Sequence, residues 1–180
     1  MGKDSKISWT NHTFSPWWGC AKVATGCANC YAEGLAARFG TQWGPRADRR
    51  FFGDKHWAEP LKWNRAAEKA GVRARVFCSS MADVFEDRRD LDDQRVRLWK
   101  LIEATPALDW LLLTKRPQNI LSMLPPTWVA SPRANVWMGT TVCTQPDAEK
   151  NIIWLLRTPA AVHFLSCEPL LESLDLSKWM

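Results

Sequence analysis

The 180-residue chain is short of the features that would take it to a membrane or out of the cell. No stretch approaches the roughly 20 consecutive apolar residues that a membrane-spanning helix needs. The opening run Met1-Gly-Lys-Asp-Ser-Lys-Ile7 is too polar for a secretory signal, and Lys6 stands where an N-myristoylation site wants Ser or Thr. There is no low-complexity tract and no repeat. Six cysteines could suggest a disulfide framework, but that pattern suits short secreted chains, so a reducing cytoplasm is expected.

The most telling absence is a fourth cysteine beside Cys20, Cys27 and Cys30. These three fall within eleven residues as C-x6-C-x2-C. Thiolates are soft ligands that select zinc, copper(I) or iron–sulfur. A closed structural zinc site takes four protein ligands, and an ordinary ferredoxin-type cluster takes four cysteines. Three leave one metal position open, and the first expectation is a cluster whose open iron binds a small molecule. His12 is near enough in sequence to be the fourth ligand if the metal is zinc. Cys78 and Cys167 lie in apolar runs and read as buried small residues, whereas Cys143 is ambiguous. His12 and His163 otherwise read as core or hydrogen-bonding histidines.

What is present describes a globular chain of one domain, 46% hydrophobic and 24% charged. Most of the twelve tryptophans read as core or pocket walls, and not as a stacking code. The net charge of +5 is uneven: residues 38–75 hold ten bases against four acids, a net of +6, and the rest nets −1. Such a segment either attracts phosphate backbones or is simply a solvated surface insertion.

The patterns predict alternating strands and helices. Ile7–Phe14 reads as a strand, broken by Pro16 and Gly19, and residues 31–39 as a helix. Residues 40–55 read as a loop and Leu61–Ala70 as a helix. Strands follow at Arg75–Met81, Asp109–Thr114, Asn135–Val142 and Ala161–Cys167. The helices between them start near Asp87 or Asp90, at Pro117, and at Thr144-x-x-Asp147, which resembles a capping box with Asp in place of Glu or Gln. Glu168, which precedes Pro169, is held extended at the last strand's tip. The expected architecture is α/β: a partial, barrel-like parallel sheet of about five βα units. One domain spans 1–180, with a cysteine loop at 15–31, a basic insertion at 38–75 and βα units at 75–180.

Parallel α/β folds bind ligands at the carboxyl ends of their strands. Those ends carry the cysteines, then Ser79, Ser80 and Asp83, then Thr114, Lys115 and Arg116, then Thr141, and finally Ser166 and Glu168. Each strand turns from apolar to polar at the same end, which predicts one polar pocket facing the cysteine loop.

Ser15-Pro-Trp-Trp-Gly-Cys20, the C-x6-C-x2-C-Tyr-Ala-Glu run, Ser79-Ser-Met-x-Asp83, Leu113-Thr-Lys-Arg-Pro117 and Phe164-Leu-Ser-Cys-Glu-Pro-Leu170 together resemble a family of phage and prophage proteins. That family has no settled function, and its three-cysteine motif resembles that of radical S-adenosylmethionine (SAM) enzymes. Those enzymes use C-x3-C-x2-C, so this loop is three residues longer. The resemblance implies a [4Fe–4S] cluster on Cys20, Cys27 and Cys30, with SAM on the fourth iron. Its reductive cleavage would give a 5′-deoxyadenosyl radical acting on an unknown substrate, a nucleic acid or nucleotide among the candidates. Ser79, Ser80, Asp83, Thr114, Lys115, Arg116, Thr141, Ser166 and Glu168 are the implied SAM-pocket residues. Family members continue past the Glu-Pro strand, so a shortened form is expected, with a partner chain as one way to complete the fold. The competing readings are a non-catalytic zinc- or nucleic-acid-binding phage protein and a degenerate family member.

Overall fold

In the computed structural model, residues 2–179 are described. Five parallel strands form one sheet: β1 (His12–Thr13), β4 (Ala74–Cys78), β5 (Leu108–Thr114), β6 (Val136–Thr141) and β7 (Val162–Ser166). Their spatial order, β1-β4-β5-β6-β7, follows the chain in one direction. That unidirectional order is barrel-like, as expected, but the described strands do not close: β1 and β7 are both edges. A separate antiparallel pair, β2 (Trp17–Trp18) and β3 (Arg50–Phe51), flanks the cysteine loop.

Of the seven α-helices among the described residues, all but the first pack on one face of the large sheet; the first packs against Met81 and Trp18 beside the cysteine loop. The seven are α1 (Tyr31–Arg38), α2 (Asp54–Trp57), α3 (Glu59–Ala70), α4 (Asp92–Glu103), α5 (Ile120–Met123), α6 (Pro126–Ala130) and α7 (Gln145–Leu156). Alternate strand residues Val76, Cys78, Trp110, Leu112, Val136 and Met138 point into this layer. They meet Trp63 and Ala67 of α3, Leu98 and Ile102 of α4, Trp128 of α6 and Leu155 of α7 in one continuous core. Each large side chain buried there contributes about 1.5–3 kcal/mol. Because strand side chains alternate, Phe77, Leu111 and Trp137 fall on the opposite, concave face, where they share one register. Trp9 lies over that face, its ring 4.8 Å from Phe77.

Several boundaries differ from expectation for physical reasons. The first strand shrinks to two residues because Thr10 N–H bonds back to Ile7 C=O, turning the chain so that Trp9 can cover Phe77. Residues 40–55 are not all loop: Arg50 and Phe51 pair with β2, and α2 begins at Asp54. The basic segment is therefore built into the fold, with Trp57 and Trp63 buried beneath its charges. The helix expected at Pro117 opens as a 3-10 turn and is split into α5 and α6 by Pro125 and Pro126. α3 stops at Gly71, whose φ of 65° is the left-handed cap geometry that glycine accepts without strain. The Thr144 cap is present: its Oγ1 accepts from Asp147 N–H at 3.3 Å, while Asp147 reaches back to Cys143 N–H rather than to the cap residue's own N–H.

No helix among the described residues is long and apolar enough to cross a membrane.

Candidate functional site

The cysteine loop is strapped to the carboxyl end of the sheet by backbone and charge contacts. Gly19 N–H donates to Met81 C=O at 3.0 Å, just past β4, and Gly44 N–H donates to Cys20 C=O at 3.0 Å. A 3-10 turn at Thr25–Cys27 leads to Cys30, which caps α1. Lys22 crosses the loop, donating to Ala28 C=O at 3.2 Å and pairing with Glu33 at 2.7 Å. Gly26 lies against Cys143: a Cβ there would collide with Cys143 Sγ.

All twelve candidate site residues line one cavity of about 610 Å³. Cys20, Cys27 and Cys30 form one wall; Ser79, Ser80 and Asp83 follow β4; Thr114, Lys115 and Arg116 end β5; Thr141 ends β6; Ser166 and Glu168 end β7. Trp9, Tyr31, Trp43 and Phe77 add aromatic rings to the lining. These four were not among the expected site residues. Tyr31 had a sequence signal in its position next to Cys30, and its hydroxyl donates to Ser80 C=O at 2.9 Å. Trp9 and Trp43 had only the general reading of tryptophans as core or pocket walls, because turns bring them there.

The polar residues divide into those engaged with one another and those facing the cavity. Asp83 accepts four hydrogen bonds: from Thr114 Oγ1 (2.7 Å), Phe85 N–H (3.0 Å), Lys115 N–H (3.1 Å) and Arg116 (2.8 Å). Asp83 and Arg116 form a buried pair, each side chain about 7% exposed. Arg116 also donates to Ala21 C=O at 2.8 Å and to Cys20 Sγ at 3.6 Å. Behind it Glu86 pairs with Arg49 at 2.7 Å, a second buried ion pair that sequence reasoning did not single out. Ser79 Oγ donates to Ala82 C=O at 2.8 Å, closing the turn after β4. Lys115 Nζ reaches Thr141 Oγ1 at 3.3 Å across the cavity. Glu168 is exposed at the rim. Lys115 and Glu168 are thus more open to a ligand than Asp83 and Arg116, which hold the frame.

Burial pushes the Cys20 thiol up to about 12, and the nearby Asp83 carboxylate adds to the effect; Arg116 opposes it only in part. Burial also raises Cys143. Arg116 keeps its proton: burial works against the charge, but Asp83, Cys20 and Glu86 outweigh it.

The six cysteines are free thiols. Among the described residues, no group of three or more His, Cys, Asp or Glu side chains converges to hold an ion. In donor chemistry the cavity wall suits an iron–sulfur group: three soft thiols on one loop, no disulfide tying them up, and a cavity beside them. It does not fit the zinc alternative with His12. That ring stacks on Trp63 at 4.5 Å, its Nδ1 accepts from Asp4 N–H at 3.3 Å, and it takes no part in lining the cavity. His163 bonds to Thr158 C=O at 2.7 Å, and Cys78 is fully buried in the core. Cys167 is only partly buried, against Val142 and Ile152.

The fold matches a solved structure, a cysteine-to-serine mutant of spore photoproduct lyase, with a TM-score of 0.58 and 17% sequence identity. The match covers 92% of this chain but 46% of the lyase, so the chain spans less than half the length of that protein. At that identity the match shows a shared fold and nothing more. Residues 4–180 match the family described as a protein of unknown function, DUF5131, and the chain belongs to that family. No curated protein matches it.

Proposed function

We propose that this protein is a radical-SAM-like iron–sulfur protein in which Cys20, Cys27 and Cys30 hold three irons of a [4Fe–4S] cluster and SAM occupies the fourth. One observation carries the reading: the three thiols and the polar ends of four successive strands line a single cavity of about 610 Å³. When bound, such a cluster supplies an electron for reductive cleavage of SAM to a 5′-deoxyadenosyl radical; the chemistry belongs to the cofactor. The chain's own residues bind, orient and shield. Lys115, a half-buried cation facing the cavity, suits a carboxylate. Glu168 suits ribose hydroxyls as an acceptor. Arg116, fixed by Asp83, holds Cys20 from behind and supplies positive charge next to the sulfur. Trp9 and Phe77 give the cavity an apolar floor that limits water near the reacting atoms.

The substrate on this reading is a nucleic acid or nucleotide, drawn by the basic segment at 38–75. A partner chain pairing along the β7 edge is part of the same proposal, as are phage origin and a cytoplasmic location.

The test is anaerobic reconstitution of the full chain with iron and sulfide, followed by metal and sulfide analysis and absorbance. About four irons and four sulfides per chain, with broad thiolate-to-iron absorption, are expected. A colourless protein holding one zinc per chain would overturn the reading.

A further inference from the structure

The charge and the aromatic rings of the 38–75 segment are not spread evenly over its surface. Arg49 is buried against Glu86, Lys62 pairs with Glu59 at 2.6 Å, and Arg73 pairs with Asp109 at 2.7 Å. Arg50 and Lys55 are exposed and form no ion pair with any described residue. On β3, Arg50 is the cross-strand neighbour of Trp18. Its guanidinium lies 5.2 Å from the Trp18 ring centre and 5.5 Å from that of Phe52. Phe52 stacks at 4.4 Å on His56, whose other face is backed by Phe14 at 4.7 Å, and Phe39, 60% exposed, meets the Trp18 ring edge-on at 5.7 Å. Two adjoining hollows of about 330 and 510 Å³ share Phe52 and His56 in their walls.

We propose that this outer face of β2–β3 is a stacking platform for single-stranded nucleic acid, with bases on the aromatic row and phosphates on Arg50 and Lys55. Rings in a row beside unpaired cations are what unstacked bases and their backbone require, and base stacking on aromatics tolerates any sequence. A duplex cannot offer its base faces to such a row. An acidic peptide would use the cations and leave the rings idle. The carboxylates nearest the hollows are already neutralised: Glu59 by Lys62, and Asp54 by Arg97 at 2.6 Å. β2 runs directly into Cys20, so a strand bound here passes the mouth of the cysteine cavity. The proposal names the substrate class for the function proposed above, and binding is measured without any cluster, so either can fail alone.

The experiment is fluorescence anisotropy of labelled oligonucleotides of about 12 nucleotides, single-stranded DNA, single-stranded RNA and duplex, titrated with the full chain at several salt concentrations. Binding of single strands that weakens as salt rises is expected. Arg50→Glu with Lys55→Glu should weaken it about tenfold or more and lower the salt slope by about 1 for each phosphate no longer gripped. Phe39→Ala, an exposed change that spares the fold, should weaken binding while leaving the salt slope in place. Arg65→Glu with Lys69→Glu, exposed on α3, should leave both unchanged. Equal affinity for the duplex, an equal weakening in the α3 variant, no single-strand binding, or equally ready displacement by polyglutamate would each overturn the proposal.

Discussion

The Arg116 guanidinium bridges two different parts of the chain: it donates to Cys20 Sγ at 3.6 Å and to the Asp83 carboxylate at 2.8 Å. The soft-ligand loop is thereby tied to the ends of β4 and β5 through one buried cation. Glu86, 3.9 Å from Arg116, carries the chain of charges on to Arg49, whose aliphatic stem packs against Gly19 at the loop's entrance. Cys20 is held by the sheet's own charge network, whereas Cys30 is held by the start of α1.

Breaking that network from one side leaves an uncompensated charge in a buried place. Asp83→Asn should therefore destabilise the fold by about 3 kcal/mol, within the range for one-sided loss of a buried pair. Urea unfolding of the metal-free chain measures it. A loss below about 1 kcal/mol would show that water reaches Arg116 and that the pair is not buried in solution.

The three loop cysteines should behave differently from the other three. Cys20→Ser, Cys27→Ser and Cys30→Ser should each abolish or strongly reduce iron retained after reconstitution, because a cluster needs its thiolates. Cys143→Ser and Cys167→Ser should retain iron close to the unaltered chain. Iron analysis after desalting decides it, and full retention by any one loop variant would remove that residue from the ligand set.

Gly26→Ala should loosen the loop by about 1–3 kcal/mol, the usual cost of overpacking, because the new methyl would press on Cys143 Sγ. Cys143→Ala in the same chain should restore most of the stability. Thermal unfolding of the single and double variants measures the coupling, and simple additivity would contradict the close approach of Gly26 to Cys143.

Much of the cavity could be read in the sequence because a parallel sheet puts every strand's carboxyl end on one rim. Thr114 after Leu113 and Ser166 after Leu165 mark those ends by a change from apolar to polar. What could not be read depends on contacts between distant segments. The β2–β3 pair is only two residues long on each side, too short for an alternating pattern, so Arg50 and Phe51 read as loop. Glu86 looks like any surface acid until Arg49, 37 residues earlier, folds against it. Asp83 and Arg116 stood out as candidate ligand groups, but spacing alone could not show that they bond to each other. His12 was in reach of the cysteines by chain length, yet its strand aims it at Trp63.

Stability should fall in mild acid. His12 and His56 both have their pKa lowered from 6.5, chiefly by burial, with Asp4 and the Ser15 carbonyl opposing in part. The unfolded chain takes up these protons near pH 6.5 and the folded chain only at lower pH, so the unfolded state binds more protons in between. The stabilising contribution is present above about pH 6.5 and is lost as pH falls through the folded-state values. Urea midpoints at about pH 7.5 and pH 5.5 should show a drop, reduced in His56→Gln. A midpoint that holds steady or rises over that range would contradict the burial of His12 and the partial burial of His56.

On the proposed function, the cysteine loop leaves one iron open to SAM. Electron spin resonance of the reduced, reconstituted protein with and without SAM tests this most directly. A signal that changes shape and field position on adding SAM, and does not change with methionine-free adenosine, is the predicted result. A cluster signal identical in the two samples, or none at all, would contradict it.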